Sequence, residues 1–174
     1  MNTQDLLPPV PRVGILFDAQ NLYCANKQGY GRLDYRVALR AALRNRILHV
    51  AKAYVVTHPK FPLASHEFTS TLMRAGIHCY TKECELNRQG NPIKANLDIE
   101  LAIDATQLLL SNDIHALVIV SGDGDFKPLI DLGHSLGKKI EIMGYRKLIS
   151  RHLIESADKV TYLDSNYFSI KKAA

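Results

Sequence analysis

Two segments of this chain place acids directly after apolar runs. Ala116-Leu117-Val118-Ile119-Val120 leads into Ser121-Gly122-Asp123-Gly124-Asp125-Phe126, and Val13-Gly14-Ile15-Leu16-Phe17 leads into Asp18, with Asn21 three residues on. A further acid, Asp98, lies in the first turn of a helical pattern. At about 100° per residue it falls inside the apolar arc of Leu97, Leu101, Ala102, Ala105, Leu108 and Leu109, while Asp104 lies at the edge of the arc and Glu100 points away. Like charges about 4 Å apart repel by about 4 kcal/mol per pair at an effective dielectric constant near 20. Carboxylates that share a small volume must therefore protonate, pair with Lys or Arg, or hold a cation. All-oxygen donors are hard, which favours Mg²⁺ or Mn²⁺ over zinc. The Asn21 amide and the Ser121 hydroxyl add polar groups at the same rim without adding charge.

Taken singly, each acid has an ordinary explanation. Asp98 is a first-turn acid favoured by the helix dipole, Asp18 a helix cap after a strand, and Asp123 and Asp125 are turn formers beside glycine. Their conjunction depends on the elements that carry them. Apolar runs without polar alternation fit buried strands at Val13–Phe17, Val50–Val56, Ile77–Tyr80, Leu117–Val120, Ile140–Met143 and, more weakly, Val160–Leu163. Helical patterns fall between them at Tyr35–Leu43, Ser65–Ala75, Leu97–Leu110, Phe126–Leu136 and Leu148–Glu155, with Gly76 and Gly137 placed as helix stops. This alternation predicts an α/β fold with a parallel sheet, helices on both faces, and ligands bound beyond the carboxyl ends of the strands. Residues 82–96, with Gly90-Asn91-Pro92, read as a polar loop or hairpin beside that mouth.

With 174 residues, 47% of them hydrophobic, one soluble domain is expected over residues 12–168, preceded by a lead at 1–11 and followed by a tail at 169–174. No apolar run approaches the length of a membrane span and the first residues lack a leader pattern, so a cytoplasmic address is expected. Cys24, Cys79 and Cys84 lack zinc-site spacing and read as free thiols. The 22 Lys and Arg against 17 Asp and Glu give +5, and gathering acids into one spot leaves the remaining surface more basic, as a polyanionic partner would require. No glycine-rich nucleotide loop follows the first strand, the Asp-x-Asp lies late in the chain, and the seven His are scattered. Ile99, Ile103 and Leu110 form a second apolar stripe on the Leu97–Leu110 helix, which either packs beneath a neighbouring element or forms a homodimer contact.

Phe17-Asp18-Ala19-Gln20-Asn21, Lys94-Ala95-Asn96-Leu97-Asp98 with Asp104, Ser121-Gly122-Asp123-Gly124-Asp125-Phe126 and Gly137-Lys138-Lys139 together resemble the NYN family, which is PIN-like and includes the LabA/DUF88 proteins. The resemblance runs from about Arg12 to Asp164. It implies a three-layer, PIN-like (Rossmann-like) α/β/α fold with a central, mainly parallel sheet, a Mg²⁺- or Mn²⁺-dependent nuclease chemistry, and RNA as substrate. By the same match Asp18, Asp98 and Asp123 are the metal-binding acids and Asp125 the fourth, with Asn21 in support; the role of Asp104 is left open. Regulatory or binding modules without settled activity also occur in this family and form the alternative.

Basic residues should ring such a site. Arg36, Arg40 and Arg44 line one helical face between Arg32 and Arg46, a row that reads equally as a solvated surface. Lys82, Arg88 and Lys94 lie in the loop expected to overlook the crevice, Lys94 four residues before Asp98, and Arg146, Lys147 and Arg151 follow the fifth strand. The expected substrate contacts are therefore Asn21, Lys94, Ser121, Arg36 and Arg40, with single-stranded RNA the preferred partner. Tyr23, Tyr30 and Tyr35 are candidates for stacking on a base or for core packing.

Overall fold

Val13, Ile15 and Phe17 turn to one face of the first strand and Leu16 to the other, and all four are fully buried. A strand apolar on both sides needs a layer on each, and the computed structural model, which describes residues 10–93 and 95–168, supplies both. Six strands, β1 (Arg12–Asp18), β2 (Ile47–Thr57), β3 (His78–Glu83), β4 (Ala116–Val120), β5 (Lys139–Tyr145) and β6 (Lys159–Leu163), form one all-parallel sheet. Their order is β3-β2-β1-β4-β5-β6. Helices α1 (Ala19–Lys27), α2 (Tyr35–Leu43) and α3 (Pro62–Arg74) enclose one core with Val13, Ile15 and Phe17. Helices α4 (Asp98–Leu110), α5 (Lys127–Ser135) and α6 (Arg151–Ser156) enclose the other with Leu16, Leu117 and Ile119. This is the three-layer α/β/α arrangement of a PIN-like domain.

Close approach of α4 to the sheet depends on Gly14, where an added Cβ would stand 3.3 Å from Leu108 Cδ1. Gly76 and Gly137 follow α3 and α5 with φ of +85° and +67°, the left-handed conformation that ends a helix. At the entering end of the sheet, Glu141 of β5 is 8% exposed and accepts from Arg44 and Arg46, each through both Nη atoms, at 3.0–3.4 Å.

Several elements differ from the sequence reading. Helix α1 has no expected counterpart, because its buried residues are only Ala19, Leu22 and Ala25 and its start is set by Asp18 capping the Asn21 N–H. Strand β2 is longer than expected because it spans the stagger between β1 and β3, pairing Arg12 with Ile47 and Glu83 with Thr57. Helix α6 starts at Arg151, since Leu148 N donates to Tyr145 O and Ser150 N to Gly122 O, which keeps 148–150 in a turn. The 3₁₀ turn Gly124–Phe126 occupies the expected start of α5. Residues 84–93 fold back through an antiparallel bridge between Leu86 and Pro92. Residues 1–9 of the expected lead, Lys94 and the expected tail at 169–174 lie outside the described residues. Among the described residues no helix is long and apolar enough to cross a membrane, and all three cysteines carry free thiols.

Candidate active site

In a sheet of this order the chain leaves β1 for one face and β4 for the other, so a crevice opens between their carboxyl ends. Asp18 is the last residue of β1, and Ser121 follows β4 directly. The Ser121 hydroxyl donates to Asp18 Oδ2 at 2.8 Å, while Asn21 N donates to Asp18 Oδ1 at 3.0 Å. The Asn21 side chain spans the same gap, its Oδ1 accepting from Gly122 N at 3.2 Å. Asp123 N donates to Ser121 Oγ at 3.1 Å, and Asp125 N to Asp123 Oδ1 at 3.0 Å. A chain of hydrogen bonds thus runs from the end of β1 through Ser121 and Asp123 to Asp125.

Asp18 is only 5% exposed and Ser121 is fully buried. Burial pushes the Asp18 carboxyl above its ordinary value of 3.8; the bonds from Asn21 and Ser121 oppose this, and the nearby charges of Asp98 and Asp123 raise it further. That coupling brings Asp98, at the first turn of α4, into the same group as Asp18 and Asp123. Asp98 Oδ2 also accepts from Asn96 Nδ2 at 2.6 Å, a contact that the sequence reading missed although an Asn two residues before a helix-start acid is well placed to make it. Asp125 is exposed at the outer rim.

The donor set of Asp18, Asp98 and Asp123, with oxygens of Asn21 and Ser121 beside them, suits a hard divalent cation by its chemistry. Burial first, and then the charges of Asp98 and Asp123, raise the Asp18 carboxyl, and a bound cation would oppose that rise. Among the described residues no three His, Cys, Asp or Glu side chains are already drawn to metal-ligand spacing. The acids form an electrostatically coupled group and not a preformed coordination shell.

Close packing aims this loop. A Cβ on Gly122 would stand 2.3 Å from the Leu148 carbonyl oxygen, and one on Gly124 2.8 Å from Ser150 Oγ, so the Asp123 turn is seated on 148–150. Of the remaining candidates, Lys94 lies outside the described residues. Arg36 donates to the carbonyl of Arg74 at the end of α3, Arg40 is exposed on α2, and Arg44 is engaged with Glu141. Asp104 anchors α4 to β2, accepting from Lys52 at 2.5 Å and from the Tyr54 hydroxyl at 2.6 Å; burial opposes its ionisation, but these two bonds hold it below its usual value. Lys82, at the end of β3, pairs with Glu100 at 3.0 Å. Arg146 stacks over the Tyr162 ring at 3.8 Å and Arg151 pairs with Glu155. Tyr35 is buried in the core, Tyr30 packs against Tyr145, and Tyr23 is exposed.

The chain is 29% identical over 160 residues to the low amplitude and bright protein LabA of Synechococcus elongatus, a match that covers 89% of this chain and 84% of LabA. It is 32% identical over 72 residues to the uncharacterized protein MJ0482 of Methanocaldococcus jannaschii, covering 41% of this chain and 30% of that one. Among solved structures, a protein of unknown function from Vibrio parahaemolyticus, VPA0982, superposes with a TM-score of 0.81 at 26% identity, covering 94% of this chain and all of that one. The NYN domain model matches residues 12–164. With the whole sheet and every acid of the crevice inside that match, this chain belongs to the NYN domain family, within the PIN-like nuclease superfamily.

Proposed function

We propose that this protein is a metal-dependent ribonuclease that hydrolyses phosphodiester bonds of RNA at the β1/β4 crevice. The observation that carries the reading is Asp18: a carboxylate buried at the switch point of the sheet, held by Asn21 N and Ser121, its carboxyl raised by burial first and then by the charges of Asp98 and Asp123. Membership of the NYN family supports nucleic acid as the substrate class.

Asp18, Asp98 and Asp123 would hold Mg²⁺ or Mn²⁺, with Asp125 at the rim. A divalent ion supplies a stronger nucleophile from water at neutral pH and a positive charge opposite the developing negative charge of the transition state. The chain's own groups do the rest. Ser121 and Asn21 N fix both oxygens of Asp18, so its orientation is set before substrate arrives. With its Oδ1 engaged by Gly122 N, Asn21 has Nδ2 donors to offer a phosphate oxygen. Asp123 caps the 3₁₀ turn, which holds Asp125 at the outer edge, where it can orient water.

A cleavage assay on end-labelled RNA and DNA, with Mg²⁺, Mn²⁺ or chelator, tests the reading beside Asp123→Asn. Cleavage is expected only with a divalent ion. It should fall in Asp123→Asn by more than the roughly 10–100-fold typical of groups that merely orient a ligand. Equal turnover in chelator or in Asp123→Asn would overturn the assignment. Ion binding without cleavage of any strand would favour an RNA- or protein-binding module on the same fold.

A further inference from the structure

Beside the acid crevice a groove of about 800 Å³ runs between α1, the end of β2 and the start of α3, bordered by the segment that begins at Cys84. Its wall adjoins the segments that carry two of the crevice acids: Ala19, which follows Asp18, and Ala95, three residues before Asp98, both line it. We propose that this groove seats unpaired nucleotides adjoining the bond to be cut, with bases stacked on Tyr23 and Phe61, so that the substrate is single-stranded RNA. The inference rests on the nuclease reading for the position of the cut, but its evidence is separate.

Three large apolar side chains that line this groove stand in solvent: Tyr23 at 51% exposure, Phe61 at 61% and Ile93 at 47%. Aromatic rings left open on facing elements, here α1 and the residue before α3, are surfaces to which a flat ring can be added. The charge of the groove matches a polyanion: among the described residues no Asp or Glu lines it, whereas Lys27 and Arg32 do. Lys27 Nζ lies 4.7 Å from the centre of the Tyr23 ring, which places a cation for the backbone next to a platform for the base. Phe61 is steadied by His58, whose ring centre is 4.9 Å away. Stacking platforms beside backbone cations are the features by which single strands are held without base reading. A duplex keeps its bases stacked inside and offers only its backbone and grooves, so it cannot use these rings.

The test is fluorescence anisotropy in chelator at low ionic strength, so that no strand is cut. The probes are a labelled ten-nucleotide RNA of mixed sequence, the same strand with two adjacent abasic positions, and the strand annealed to its complement. Wild type should prefer the intact single strand. Tyr23→Ala and Phe61→Ala should each weaken it by roughly five- to a hundredfold, with Tyr23→Phe close to wild type. The abasic strand should bind weakly and lose its sensitivity to Tyr23→Ala. Ile103→Ala, on the exposed face of α4, is the control and should change nothing. Both aromatic variants should keep the wild-type circular dichroism and melting midpoint, since neither ring is buried.

Equal binding of single strand and duplex, no binding by wild type, an abasic strand held as tightly as the intact one, or aromatic variants equal to wild type would each overturn the groove. The last of these would leave it to a protein partner. Groove-dependent binding by a wild type that cuts nothing in Mg²⁺ or Mn²⁺ would remove the nuclease reading alone. Cleavage indifferent to both aromatic changes would remove the groove alone.

Discussion

Ser121 and Asp18, 103 residues apart in sequence, are joined by a 2.8 Å hydrogen bond from the hydroxyl to Oδ2 where β1 and β4 part. Because Ser121 Oγ also accepts from Asp123 N, one buried hydroxyl sets the orientation of one acid and the position of the next. Ser121→Ala should therefore leave Oδ2 of Asp18 without its donor and push its carboxyl still higher, lowering nuclease turnover by about 10–100-fold. The acidic limb of the pH–rate profile should move to higher pH in this variant, and Ser121→Thr should recover part of the loss. An unmoved profile would reduce Ser121 to a packing residue.

Asp18 should cost the metal-free protein stability. Its folded-state value is raised, by burial first and then by Asp98 and Asp123, so the native state holds this proton more tightly than the unfolded chain. Stability from this group is greatest below 3.8 and declines as pH rises through the raised folded value. Asp18→Asn, measured in chelator, should melt above wild type at neutral pH and lose that advantage towards pH 3. It should also be inactive. A melting difference that does not vary with pH would refute the linkage.

Gly122→Ala tests how the Asp123 turn is seated. The new methyl would meet the Leu148 carbonyl oxygen, a backbone atom that cannot swing aside, so the turn and 148–150 must separate. A loss of about 1–3 kcal/mol is expected, the usual range for overpacking, with turnover reduced beyond what the lower melting point explains. Denaturant titration and turnover at a temperature where both proteins are folded separate the two effects.

Asp158 offers a pH test far from the crevice. Burial opposes its charge, but Lys139, Ile140 N and His134 outweigh that and bring it to about 2. The sign is opposite to that of Asp18: its contribution is present above 3.8 and is lost as pH falls towards 2. Asp158→Asn should lower stability by about 1 kcal/mol at neutral pH, after allowance for solvent screening, and match wild type near pH 2. Activity should not change.

The α/β class and five of the six helices are legible in the sequence because apolar runs alternate with helical patterns, and the central strands β1 and β4, covered on both sides, are written as unbroken apolar runs at Val13–Phe17 and Ala116–Val120. Helix α1 is not, since only Ala19, Leu22 and Ala25 are buried and its start depends on a cap. The arginine row from Arg36 to Arg44 shows what spacing alone leaves open. Its spacing is regular, but Arg36 and Arg44 are taken up by Arg74 O and Glu141, partners 38 and 97 residues away.

What the sequence by itself determined is local: apolar runs that must be strands, glycines that must end helices, and acids that leave those runs at fixed points. Only the tertiary structure decided which acids meet, because the order β3-β2-β1-β4-β5-β6 sets β1 beside β4, and α4 brings Asp98 to Asp18 and Asp123. The groove between α1 and α3 was likewise decided by packing. Tyr23 and Phe61 are 38 residues apart in sequence, and no local pattern around either records that both line one groove.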